Sequence, residues 1–134
     1  MTIAHKYAHI PYLDGGRDPV IGLDCWGLVR TVLMNEFSAP SLPEWGAIYD
    51  RNHDEFHSAY RTMHSRFERV TAPQPGDVVC VFNPAGQCAH VGIVINGDTG
   101  PTVLDTTTKN GVQTLPMNQY ARKYDNRIEL RRCR

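Results

Sequence analysis

Apolar residues recur along this chain in two rhythms. From Cys25 to Phe37 they fall at Cys25, Leu28, Val29, Val32, Leu33 and Phe37, the three-and-four spacing of a helix with one buried face. Asp24 stands just ahead of that face, in the position of an N-cap. The two prolines of "SAPSLPEWG" end the helix. Phe56, Tyr60, Met63, Phe67 and Val70 form a second stripe with steps of four, three, four and three, which predicts a helix from about Asp54 to Arg69. Its opposite face carries His57, Arg61, His64 and Glu68. The two histidines raise the question of a metal ion, but no carboxylate or cysteine is placed to complete a site, and the stripe reads as a solvated polar face.

After "APQPGD" the rhythm shortens to that of strands. Asp77–Phe82 is a nearly continuous apolar run, and His90–Asn96, Thr102–Thr107, Gly111–Leu115 and Arg127–Arg132 follow, separated by "NPAG", "NGDTGP" and "KNG" turns. A short helix around Met117–Tyr124 precedes the last strand. The region up to residue 24 reads as loop, because "PYLDGGRDPVIGLD" carries three glycines and two prolines. Helices first and an antiparallel meander afterwards predict an α+β fold, with N-terminal helices packed on a sheet of about five strands. The 134 residues suffice for one domain, 1–134.

Charge narrows the choice of partner. Fourteen basic and fourteen acidic residues cancel, so the balance supplies no attraction to nucleic acid or an anionic membrane. No apolar run is long enough to span a bilayer. "MTIAHKYAHI" lacks the charged flank and apolar core of a secretory signal. Four cysteines, at 25, 80, 88 and 133, include no CxxC pair; neither a disulfide framework nor a structural zinc site is expected. Cys80 reads as core and Cys133 as an exposed tail thiol.

The candidate chemistry lies in three residues that are distant in sequence. A cysteine hydrolase needs a thiolate, an imidazole that takes its proton, and a third group that orients the imidazole. Cys25 opens the first helix, where the dipole favours an anion. His90 opens the second strand, and Asp105 lies fifteen residues later on the third. If those strands form a hairpin, His90 and Asp105 face each other across it. Each residue alone has a plainer reading: a buried cysteine, a core or rim histidine, a turn aspartate. Thr106 and Thr107 are the substitutes for Asp105 if the register slips. Gly92 leaves room beside His90, and Gly27 lies two residues after Cys25; both read as close-packing points between helix and sheet. By the period of two, Cys88 shares the face of His90.

"PYLDGGRDPVIGLDCWGLVR", "PQPGDVVCVF", "AHVGIVI" and "VLDTTTKNGVQ" together resemble the NlpC/P60 family of papain-like cysteine peptidases, in the family's motif order and over about Ile10 to Arg132. The resemblance implies a papain-like fold and hydrolysis of peptide stems in bacterial cell-wall peptidoglycan, commonly at the D-glutamyl–diaminopimelate bond. It puts Cys25 on the nucleophile, His90 on the general base, and Tyr12 on the tyrosine whose hydroxyl lies beside the nucleophile. Asp105 falls where the family has a third polar residue, most often histidine. A carboxylate there accepts the imidazole N–H and favours the imidazolium. "GGRDP…DCWGLVR", with Trp26 where many members have serine, resembles the branch found in tails of bacteriophages and gene transfer agents. That branch implies a virion-tail location, other tail-tip proteins as partners, and delivery to the host wall without a signal peptide. The chemistry calls for no metal or cofactor.

Further residues surround these. Asp24 reads first as the helix cap and second as part of the site. The Cys25 backbone N–H, in the first helical turn, is the natural oxyanion donor. Trp26 walls a substrate groove or closes an interface to a partner. Arg17 and Asp18 either touch a charged stem peptide or are solvated loop residues. Two other functions stay open: a structural tail-tip module that keeps the fold, and an injected cell-wall amidase toxin.

Overall fold

The computed structural model describes residues 2–45 and 53–133. Gly46, the last residue of the predicted break after the first helix, lies outside the described residues.

The N-terminal region is more ordered than its glycines and prolines suggest. Thr2 accepts a hydrogen bond from the His5 backbone N–H and starts a short helix, α1 (Ile3–Tyr7). The glycine-rich loop closes into a two-stranded ribbon, β1 (Arg17–Asp18) against β2 (Gly22–Leu23). Then comes α2 (Cys25–Glu36), capped by Asp24 as the sequence predicts. The chain leaves α2 through Ser38 at φ 55°, a left-handed turn ahead of the prolines. Glu36 near the end of α2 accepts from Lys6 and from the Tyr7 hydroxyl, which ties α1 down onto α2.

The second predicted helix is shorter than its stripe. It comprises α3 (His53–Thr62) and a single 3₁₀ turn, Met63–Ser65. Phe67 and Val70 belong instead to a strand, β3 (Phe67–Val70). They are three apart, which suits a helix. On a strand, odd separation sends them to opposite faces, and they do pack in two different clusters. The sheet therefore has six strands rather than five. The remaining elements are β4 (Val78–Phe82), β5 (Cys88–Gly97), β6 (Gly100–Thr107), β7 (Gly111–Pro116), α4 (Met117–Lys123) and β8 (Ile128–Cys133), close to the predicted bounds. All neighbours in the sheet run antiparallel, in the order β3-β8-β4-β5-β6-β7.

The sheet is covered on both faces. Val78, Cys80, Val91, Ile93 and Leu104 pack under α2 and α3 with Leu28, Val29, Val32, Phe56 and Phe67. Val79, Val81, Val94, Val103 and Leu130 pack on the other side with Tyr120 of α4. This is why β4 reads as unbroken apolar sequence rather than an alternation. One irregularity matters for the site. The pairing of β4 and β5 shifts between Val81 and Phe82, so Val81 faces His90 while Phe82 faces Cys88. The bulge breaks the period of two. Cys88 consequently packs in the α2-side core beside Cys80, and does not share the face of His90 as the sequence suggests.

Candidate active site

The N-terminus of α2 is held by one carboxylate. Asp24 is buried; its Oδ1 accepts from the Gly27 backbone N–H at 2.8 Å and its Oδ2 from the Gly15 N–H at 3.1 Å. The Arg17 guanidinium donates to Oδ1 at 2.6 Å and also to the carbonyls of Gly16 and Glu44. Asp24 is thus both the helix cap and the anchor of the glycine loop. Arg17 is neither a solvated loop residue nor one that reaches outward: its side chain is spent on this anchor. Gly27 packs against that loop rather than against the sheet, since a Cβ there would land on the Gly16 carbonyl oxygen. The construction fixes the start of α2, and with it Cys25, which is 1 % exposed.

Tyr12 is set beside the same helix start. It bridges to Leu23, and its hydroxyl donates to Asp14 at 3.0 Å. Trp26 is packed rather than open. It is 4 % exposed, its indole N–H donates to the Pro43 carbonyl, and its ring lies 4.6 Å from that of Trp45.

On the sheet, Ile93 pairs with Leu104, so one step further along the hairpin Asp105 comes opposite Gly92. A Cβ on Gly92 would sit 2.7 Å from Val103 Cγ1 and 3.3 Å from Asp105 Cβ. Its absence lets β5 and β6 approach where the His90 and Asp105 side chains meet. The Gly92 contact is therefore strand to strand, not helix to sheet. His90 Nε2 lies 2.8 Å from Asp105 Oδ2. The threonines do not take this role. Thr106 points to the other face, where its buried hydroxyl has no hydrogen-bond partner among the described residues, and the Thr107 hydroxyl accepts from the Asn110 N–H in the following turn.

Asp105 is 1 % exposed. Burial raises its pKa, but hydrogen bonds from His90, Tyr120 and Gln113 together with the His90 charge outweigh burial and leave it below the usual aspartate value. The carboxylate is therefore ionised at neutral pH and can only accept hydrogen bonds. His90 must donate from Nε2, which makes Nδ1 the basic nitrogen of the neutral ring.

Two tyrosines that the sequence motifs do not single out complete the cluster. Tyr120 of α4 donates its hydroxyl to the same Asp105 Oδ2 at 2.9 Å. The Tyr124 ring lies 5.0 Å from that of Tyr120 and 6.3 Å from the His90 ring. The Tyr120 hydroxyl is pushed well above the ordinary tyrosine pKa and that of Tyr124 is raised, in both chiefly by burial, then by the Asp105 charge, with a smaller contribution from Cys25. Cys25, from the helical half, is thus within electrostatic reach of the cluster built by β5, β6 and α4. The available signal was "YARKY", two tyrosines four apart on one face of a short helix.

The other cysteines lie elsewhere. The Cys80 pKa is raised by its contact with the Cys88 thiol and by burial. Cys133 is half-buried at the end of β8, not an exposed tail thiol, and burial raises its pKa. The polar stripe is solvated at Arg61, His64 and Glu68, as the sequence predicts, and His57 is the exception. His57 Nδ1 accepts the Cys88 backbone N–H at 2.9 Å, while His64 meets the Tyr60 ring edge-on and has its pKa lowered, mainly by burial.

The family model of the NlpC/P60 family matches residues 9–129. The chain belongs to the NlpC/P60 family. This NlpC/P60 domain also resembles solved structures. Two crystal structures of an N-acetylmuramoyl-L-alanine amidase from Bacteroides uniformis align over 98 % of this chain and 95 % of theirs, with TM-scores of 0.57 and 0.54 at 15 % and 13 % identity. A further structure of an amidase of that name from the same organism aligns over 46 % of this chain and 29 % of its own, with a TM-score of 0.39. At such identities the likeness concerns the fold. Comparison with curated protein sequences gives no match.

Proposed function

We propose that this NlpC/P60 domain is a cysteine hydrolase of bacterial cell-wall peptides, with Cys25 as nucleophile, His90 as base and Asp105 as the group that orients His90. The observation that carries the reading is the pairing of half-buried His90 with the buried Asp105 carboxylate. An ionised carboxylate fixes Nε2 as the donor and reserves Nδ1 for the thiol proton. In this mechanism Cys25 Sγ attacks the scissile carbonyl and the C–N bond breaks as His90 returns its proton to the leaving amine. Water, deprotonated by the same ring, then hydrolyses the thioester. The Cys25 backbone N–H, at the first position of α2, points toward the developing oxyanion, where the dipole adds to its effect. Tyr12, set next to the helix start, lines the approach of the substrate.

Family membership supports peptidoglycan as the substrate, and the D-glutamyl–diaminopimelate bond is the proposed scissile bond. The amide for which the Bacteroides amidases are named is the competing one. Incubation of defined muropeptides followed by mass analysis separates the two, since each cut leaves a different fragment on the sugar. Wild type is expected to release stem fragments and Cys25→Ala none. Turnover that survives Cys25→Ala would remove the thiol mechanism. The "GGRDP…DCWGLVR" form supports the further proposal of a bacteriophage tail-tip location. Peptides of this chain in purified virions would bear it out, and their absence would remove it.

A further inference from the structure

Tyr120 is among the largest fully buried side chains, and its ring sits in a cluster of valines and leucine where phenylalanine would pack equally well. Its hydroxyl donates to Asp105 Oδ2, the oxygen that also receives His90, and is hydrogen-bonded with the Tyr124 side chain beside it. A buried phenol finds a partner when it can. Here the partner is itself the partner of the proposed base. Resting on the cysteine-hydrolase reading above, we infer that Tyr120 is a positioning residue of this site, holding the Asp105 carboxylate in the single orientation that aims His90.

The geometry gives the reason. A carboxylate whose Oδ2 is bound only by an imidazole, with Gln113 as its one other side-chain donor, keeps freedom to rotate about its Cβ–Cγ bond and carry the ring with it. A second donor on the same oxygen, from a helix on the same side of the sheet, removes that freedom. The groups facing Asp105 are His90 from β5, Gln113 from β7 and Tyr120 from α4. Those facing Tyr120 are Asp105, Tyr124 and Cys25 of α2. Hydrogen bonding to the charged form favours it, so the Tyr120 hydroxyl lowers the Asp105 pKa and its removal raises it. Asp105 then takes up its proton at a higher pH, and the acid limb of activity moves toward neutrality.

The test is Tyr120→Phe, which keeps the ring and removes the hydroxyl. On muropeptides KM is expected to stay near wild type while kcat falls about tenfold, roughly the factor carried by one hydrogen bond to a charged group. The acid limb of kcat should rise by about half a unit or more. A purely structural role would lower the thermal midpoint and leave the limb in place, and that result overturns the inference. Nitrogen NMR of the His90 ring supplies a readout that needs no substrate. The Nε2-protonated form should dominate in wild type and mix with the other tautomer in Tyr120→Phe; an unchanged mixture overturns the inference. If wild type leaves wall peptides intact while the tautomers still respond, the functional reading fails and the positioning role stands. Should the variant not fold, 3-fluorotyrosine at position 120 replaces it. The more acidic phenol donates more strongly and should shift the acid limb downward; a fixed limb again overturns the inference.

Discussion

Asp105 shows how much one side chain decides. A threonine one position later would face the α2 side, and Thr107 serves the next turn, so only residue 105 meets the ring from β6. Asp105→Asn keeps the volume and loses the charge. An amide can donate to Nε2 as readily as accept from it, which permits the wrong tautomer. Turnover of muropeptides is expected to fall about 10²-fold, within the usual reach of a general base. The same substitution has a signature in stability. The Asp105 pKa is depressed in the folded protein, so its contribution is fully present above the ordinary aspartate value of about 3.9 and disappears as pH falls through the lower native value. Thermal midpoints of wild type and Asp105→Asn should therefore lie apart at pH 7 and converge below about pH 4. A gap that persists or widens in acid would contradict the assignment. His90 and Asp105 could be read from motif and register. Tyr120 could not, because a tyrosine in a short amphipathic helix looks like any core aromatic until its hydroxyl has an address.

At the scale of elements, the start of α2 carries the most information per residue. Cap, glycine loop and helix are joined through Asp24, and Gly27 lets the loop backbone lie against the first turn. Gly27→Ala should destabilise the domain by about 1–3 kcal/mol, the range for overpacking against unyielding backbone. The loss should be visible in urea denaturation, and because the displaced element holds Cys25, alkylation of Cys25 should change with it. A variant as stable as wild type, with the same alkylation rate, would show that the loop gives way freely. The cap was legible because Asp before an apolar stripe has one common meaning. The role of Arg17 was not, since nothing local distinguishes an arginine that binds a cap from one that meets solvent. The overrun of the second helix has a similar cause: apolar residues at steps of four and three satisfy a helix, yet Phe67 and Val70 satisfy equally well the two faces of a strand covered on both sides.

For the molecule as a whole, what local pattern conveyed was the kind of each strand, and what it withheld was who lies beside whom. The meander from β4 to β7 joins neighbours in sequence, and its turns announce it. The insertion of β8 between β3 and β4 leaves no mark in either segment, because an antiparallel partner is chosen by packing across the sheet. That insertion has a consequence for how the protein is made. A chain emerging from the ribosome delivers residues 78–116 in an order in which each strand pairs with one already out. β3 emerges earlier, but its sheet partner is β8, the last of the six strands in chain order. Chains stalled with residues up to 124 outside the ribosome and 128–133 still in the exit tunnel should expose 53–70 to protease while 78–116 resists it. Equal protection of both segments would mean that α3 and β3 dock without their strand. With unequal protection, the α3 and β3 side of the core closes only after β8 is released, whereas α2, which packs on β5 and β6, is free to dock before it.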